Sequence, residues 1–163
     1  MRQAVVPFGF GLSYSSFGYA VSSDLTGPLS LDPLRELLEA TYKAGRTFPD
    51  AKLLKASKPL VNYWVNVTNT GKMDADDVVL GFLTPPGAGE NGVPLQTLFG
   101  FERVHVKAGE TVSVNIYPEM TDFANTLPDG TKEAAAGEWT VKFGVKEALE
   151  LGQGYAEMKF TAV

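Results

Sequence analysis

The sequence has no cysteine and a single histidine among its 163 residues. The first absence excludes a disulfide framework and any site built on thiolates. The second leaves His105 by itself, alternating with Arg103 and outside any Ser-His-Asp or His-Glu-x-x-His context, so it reads as a solvent-facing strand residue. Excess positive charge is lacking too. A net charge of −5 gives no electrostatic footprint for nucleic acid or anionic lipid. No apolar run is long enough to span a bilayer, and no signal-peptide core opens the chain, so a secretion signal would have to lie outside it. A repeat of roughly 20–50 residues is absent as well.

What remains is ordinary globular material. Hydrophobic residues make up 44% and charged residues 20%, which argues against disorder. This length suits one domain, able to bury roughly 70% of its unfolded surface in one core.

The chain is organised around residues 59–71. Val61, Tyr63, Val65 and Val67 alternate with Asn62, Trp64, Asn66 and Thr68, the period of two that marks a strand. Asn69-Thr70-Gly71 tolerates a turn, and Val78 to Leu83 forms a second apolar run. The pattern continues downstream. Phe17, Tyr19 and Val21 precede it; Leu98 to Lys107, Thr111 to Pro118, Trp139 to Val145 and Ala156 to Ala162 follow. Two shorter segments, Phe123 to Leu127 and Thr131 to Ala135, flank the turn triplet Pro128-Asp129-Gly130. About seven or eight strands at this spacing predict an antiparallel sandwich.

Residues 22–58 break the alternation. Leu34, Leu37, Leu38, Thr41 and Tyr42 form one helical stripe, with Asp32 as N-cap, Pro33 in the first turn and Gly45 at the end. One short inserted helix, at about residues 30–45, is expected to pack on the sandwich.

No catalytic constellation is visible. The acidic residues fall mostly in turns. Asp74, Asp76 and Asp77 lie close together but lack the spacing and closing Glu of an EF-hand loop, so no metal or other cofactor is assigned. Asn66-Val67-Thr68 is an N-glycosylation sequon, meaningful only in a secretory setting.

Several segments together resemble glycoside hydrolase family 3 enzymes. Pro7 to Tyr14 is similar to the segment closing that family's second catalytic-region domain. Val65 to Gly71, Asp77-Val78-Val79, Leu98 to His105, Ala108 to Thr111 and Ala136 to Val141 resemble the fibronectin type III-like domain that ends those enzymes. The run Val79 to Leu83 looks closest to the β-xylosidase branch. The resemblance implies an all-β, fibronectin type III or immunoglobulin-like antiparallel sandwich over residues 15–163, with residues 1–14 trailing from the preceding domain. It implies a secreted, non-catalytic accessory domain, monomeric as isolated, whose partners are the catalytic domains of a β-xylosidase or β-glucosidase. The family's nucleophilic Asp and its acid/base Glu belong to segments this chain lacks, so no residue inherits either role. Polysaccharide anchoring and a freestanding adhesion-type sandwich stay open beside the accessory role. Neither nucleic acid nor a membrane is expected as a partner.

One patch is singled out. Trp64 shares a face with polar residues, while Val78, Leu80 and Phe82 make the second face of their strand apolar as well. A sheet open to water should alternate, so something is expected to cover this surface. The inserted helix is the expected cover within the chain. A catalytic domain or a saccharide is the alternative.

Overall fold

The computed structural model describes residues 13–50, 54 and 57–163. The trailing segment read over residues 1–14 therefore lies almost wholly outside the described residues. Among the described residues these elements follow in chain order: β1 (Phe17–Ser23), α1 (Asp32–Lys43), β2 (Tyr63–Asn69), β3 (Ala75–Thr84), β4 (Thr97–Val106), β5 (Thr111–Ile116), β6 (Ala124–Thr126), β7 (Lys132–Ala134), β8 (Gly137–Gly144) and β9 (Tyr155–Ala162). Every alternating segment of the sequence is a strand, because only an extended backbone puts all its apolar residues on one side.

The strands form a three-stranded sheet, β1-β2-β5, and a four-stranded sheet, β4-β3-β8-β9, with β6-β7 as a small ribbon. All strand pairs are antiparallel. The two larger sheets stack with β1 beside β9 and β5 beside β4. Between them lie Tyr63, Val65 and Val67 from β2, Val79 and Leu83 from β3, and Trp139, Val141 and Phe143 from β8, all buried. Edge-on ring pairs bind the layers: Tyr63 with Phe143 at 5.6 Å and Phe123 with Trp139 at 5.4 Å, an arrangement favoured by the ring quadrupoles.

Sheet membership corrects the reading of Trp64 with Val78, Leu80 and Phe82 as one patch. β2 and β3 are consecutive but not neighbours in a sheet; the chain crosses from one layer to the other between them. It crosses back between β4 and β5 at the same end. Period-two patterning fixes which residues face inward and says nothing about which strand pairs with which.

Both crossings are tied by the amide of Asn69, which is fully buried. Its Oδ1 accepts from Ser15 Oγ (2.6 Å) and Gly71 N (3.0 Å), and its Nδ2 donates to Met73 O (2.8 Å) and Val106 O (2.9 Å). Its backbone donates to Glu110 O and accepts from Gly109 N, both at 3.0 Å. A Cβ on Gly71 would sit 2.0 Å from Ser15 Oγ, so this knot closes only around glycine.

A bulge shapes the four-stranded sheet. The β3–β4 register passes from Gly81 opposite Gly100 to Phe82 opposite Leu98, leaving Phe99 as the extra residue. Phe99 turns inward over Gly81, where a Cβ would lie 2.5 Å from its ring, and meets Phe143 edge-on at 6.1 Å.

Helix α1 ends as read, with Gly45 at φ 69°. Gly45 N and Arg46 N donate to Tyr42 O and Thr41 O. Its start differs. Leu31 is the N-cap and makes no side-chain cap, while Asp32 is already helical and engages Ser30 and Arg35. The entry is held from outside instead, since residues 29–31 run beside the end of β9 through Leu29 N to Thr161 O and Leu31 N to Val163 O, both 2.8 Å. Leu34, Leu38 and Thr41 are buried. The helix packs against β7 and the 3-10 turn Met120–Phe123, where Tyr42 Oη accepts from Lys132 N at 2.7 Å. It closes one end of the sandwich and does not cover Trp64, which stays 38% exposed.

Two substitutions test this skeleton by thermal or denaturant unfolding. Trp139→Ala should cost about 3–5 kcal/mol, as large-to-small changes in a packed interior do. Asn69→Ala orphans buried groups worth about 1–3 kcal/mol each and should be comparably severe despite removing few atoms. A melting curve for either variant superimposed on that of the parent would refute the role given to that side chain.

Candidate interaction surfaces

Inward-facing residues account for the core, so function is sought on the two outer faces and in the recesses between elements. On the outer face of the four-stranded sheet, β3 and β4 set residues directly opposite one another: Asp76 with His105, Val78 with Arg103, Leu80 with Phe101, and Phe82 with Leu98. Asp76 receives Arg103 Nε and Nη2 at 2.9 and 2.7 Å and lies 2.7 Å from His105 Nδ1. The His105 hydrogen bond, joined by those from Arg103, holds the Asp76 carboxyl below the usual carboxylate range. Next to this charged end the face turns apolar. Phe101 is 67% exposed, Val78 43% and Leu98 37%, with Leu80 half-buried and Phe82 buried. Three of the four residues singled out from the sequence, Val78, Leu80 and Phe82, therefore form one patch, completed by Phe101 and Leu98.

Trp64 belongs to the other outer face, across the sandwich. Its cross-strand partners are Ser22 and Asn115; those of Asn66 are Ala20 and Ser113; those of Thr68 are Gly18 and Thr111. This face is polar and built of small side chains, with the indole projecting from it. Tyr117, 48% exposed, continues the outward alternation of β5 and lies diagonal to Trp64. The bulge hid the first patch from sequence reading, since Leu98 and Phe101 look like alternate faces until Phe99 is recognised as the extra residue.

The three clustered aspartates part company in space. Asp74 Oδ1 accepts from Ala108 N at 2.9 Å, Asp76 faces outward to Arg103 and His105, and Asp77 accepts from Tyr19 Oη at 2.6 Å. Burial, the Asp77 charge and that hydrogen bond together push the Tyr19 phenol well above its ordinary range. Among the described residues no group of three or more His, Asp or Glu could hold a metal ion.

A recess of about 870 Å3 lies between the β1–α1 connection, the helix face at Pro33 and Leu37, and residues 57–60. It is shallow, and Asp24 and Glu36 both line it; Asp24 is engaged by Asn62, whose N and Nδ2 donate to it at 2.9 and 2.8 Å. A smaller one, about 210 Å3, holds Asp122 beside Lys132 and Trp139. Burial raises the Asp122 pKa to about 6, against the hydrogen bond it accepts from Glu119 N at 2.8 Å. A raised carboxylate in a recess can mark a catalytic acid. Here the group is half of a capping box at the start of the Met120–Phe123 turn, which explains its placement structurally.

The sandwich, two antiparallel sheets joined by crossings at one end, is of the immunoglobulin and fibronectin class. The family model described as a fibronectin type III-like domain matches residues 77–146. A probable exo-1,4-β-xylosidase of Aspergillus fumigatus is 32% identical over 147 residues, covering 90% of this chain and 18% of that protein. Among solved structures, a β-glucosidase of Erythrobacter marinus superposes with a TM-score of 0.68 at 23% identity, over 99% of this chain and 18% of that one. A family 3 β-glucosidase of Bifidobacterium adolescentis gives 0.63 at 24% identity, over 96% and 18%. This chain is a fibronectin type III-like domain of the kind carried by glycoside hydrolase family 3 enzymes. It spans about a fifth of the length of the relatives it matches.

The Asp122 assignment yields a pH test. The unfolded carboxyl releases its proton near 3.8 and the folded one near 6. Between those values the native state binds the extra proton, so stability falls as pH rises through the window and stays lowered above it. Asn at this position keeps an acceptor for Glu119 N and has no proton to lose. Asp122→Asn should therefore gain stability relative to the parent from pH 4 to about 6, then hold a constant lead. Parallel melting profiles across that range would rule out the raised carboxyl.

Proposed function

We propose that this chain is a non-catalytic, C-terminal accessory domain of an extracellular family 3 β-xylosidase or β-glucosidase, and that it docks on the catalytic domains through the patch of Val78, Leu80, Leu98 and Phe101. The patch carries the reading. An antiparallel sheet facing water should present polar residues, and this one presents Phe101 at 67% and Val78 at 43% exposure. Charged Asp76, Arg103 and His105 border it at one end, the arrangement of an interface with an apolar centre and a polar rim. The described chain also enters beside it, since Ser13 lines the same recess as Val78 and Leu80. A preceding domain joined there would be tethered next to this face. Interfaces between domains of one chain bury on the order of 600–1,500 Å2.

Hydrolysis of a glycoside needs two carboxylates flanking the scissile bond. Asp74 and Asp122 hold a turn and a cap, Asp76 pairs with Arg103, and Asp77 accepts from Tyr19. Polymer anchoring would call for a row of coplanar aromatics, and the polar outer face offers Trp64 with Tyr117 diagonal to it.

The test uses Phe101→Asp in both the isolated chain and the full-length protein. The isolated chain should melt as the parent does, because Phe101 lies mostly in solvent, and should show no turnover on aryl xylosides or glucosides. The full-length variant should keep its kcat on substrate at low temperature but inactivate several degrees earlier on heating. Equal inactivation temperatures would reject docking through this face; turnover by the isolated chain would reject the accessory reading.

A further inference from the structure

The other outer face carries an arrangement that docking does not use. Trp64, Asn66 and Thr68 occupy alternate positions of β2, so the indole, the sequon asparagine and its threonine project side by side. Successive residues on one face of a strand stand about 6.5–7 Å apart, close to the breadth of a pyranose ring. The cross-strand neighbours of Asn66 are Ala20 and Ser113, leaving open space above its amide. Asn66 is exposed, and none of the side-chain hydrogen bonds among the described residues engages its amide. Trp64 remains over a third exposed although every residue paired with it is polar, and its diagonal neighbour Tyr117, itself 48% exposed, does not cover it.

We propose that Asn66 is an acceptor for an N-linked glycan and that the first N-acetylglucosamine lies against the indole of Trp64. The carbohydrate hides the apolar ring, and the ring fixes the direction in which the glycan leaves the sheet. The transfer needs a co-reactant of one class, an oligosaccharide linked through diphosphate to a lipid carrier. The Asn66 amide nitrogen attacks the anomeric carbon, the C–N bond forms as the C–O bond to diphosphate breaks, the amide proton passes to a base of the transferase, and nothing is oxidised or reduced. It acts on the nascent chain, before Thr68 Oγ1 is engaged by Thr111 Oγ1 at 2.8 Å. Asn66-Val67-Thr68 is the sole Asn-x-Ser/Thr sequon in the sequence. The inference rests on the extracellular reading for its setting, and on β2 alone for its geometry.

The 163-residue chain is secreted from yeast behind a host signal peptide, so the outcome does not depend on the natural address of the protein. Failure here is then separable from failure of the extracellular reading. Peptide-N-glycosidase in heavy-oxygen water should convert Asn66 to labelled Asp, and Thr68→Ala should abolish the label. Acrylamide quenching then reports Trp64, because Trp139 is buried. Quenching should be low in the intact protein, remain low when an endoglycosidase trims the glycan to one sugar, and rise when the last sugar is removed. An unmodified Asn66 in the secreted, folded protein would overturn the proposal. Equal quenching in the three forms would overturn the stacking. If added xylo-oligosaccharide protects Trp64 of the Thr68→Ala variant as well as the glycan protects the parent, the face is a site for free saccharide instead and the glycan assignment falls.

Discussion

The architecture depends on one buried amide. A sandwich of this kind must pass the chain between layers, and the backbone at each crossing leaves the ladder that would satisfy it. Asn69 supplies what the ladders cannot. It is the last residue of β2, and its side chain reaches the hydroxyl of Ser15 before β1, the turn into β3, and the end of β4. A carboxylate could not donate to Met73 and Val106, and a hydroxyl could not span all four groups. The relative placement of the layers, and hence of both outer faces, follows from that side chain.

Much of this fold is legible in the sequence because its signals are local. Val65-Asn66-Val67 or Trp139-Thr140-Val141 can bury one side only as strands, and Gly45 ends the helix because it accepts a positive φ. The pairing of strands is not local. Asn69-Thr70-Gly71 looks like a hairpin turn, yet the residues after it lead to the other sheet; the cause is the amide of Asn69, whose partners lie 37 and 54 positions away. The same limit explains the misplaced helix. Its apolar stripe is correctly read, but the surface that receives it, β7 and the Met120–Phe123 turn, is assembled from residues far along the chain.

The candidate surfaces were legible in part, for a related reason. Val78, Leu80 and Phe82 stand out because a strand with two apolar faces violates the alternation expected of a half-solvated sheet. Their companions do not stand out. Leu98 and Phe101 are three positions apart, which puts them on opposite faces of a regular strand. The bulge at Phe99 restores them to one face, and Gly81 permits the bulge by leaving room for the displaced ring. A local irregularity thus aligns Phe101 with Leu80 and Leu98 with Phe82, and turns scattered apolar residues into a continuous patch.

The two outer faces divide along physical lines. One combines small side chains, hydroxyls and amides, the composition water tolerates, and carries Trp64, with Tyr117 diagonal to it, beside an exposed asparagine. The other is apolar along β3 and β4, charged at one end of them, and polar or charged along β8 and β9 through Glu138, Lys142, Glu157 and Lys159. Had the sandwich been selected only to be stable by itself, Phe101 and Val78 could be polar at little cost, since neither contributes to the buried interior. Their exposure burdens solubility without helping the core, so the selective reason for them lies outside it. Sheet stacking makes the separation possible. The inner faces hold the domain together, which leaves each outer face free to meet a different chemical environment without compromising the fold.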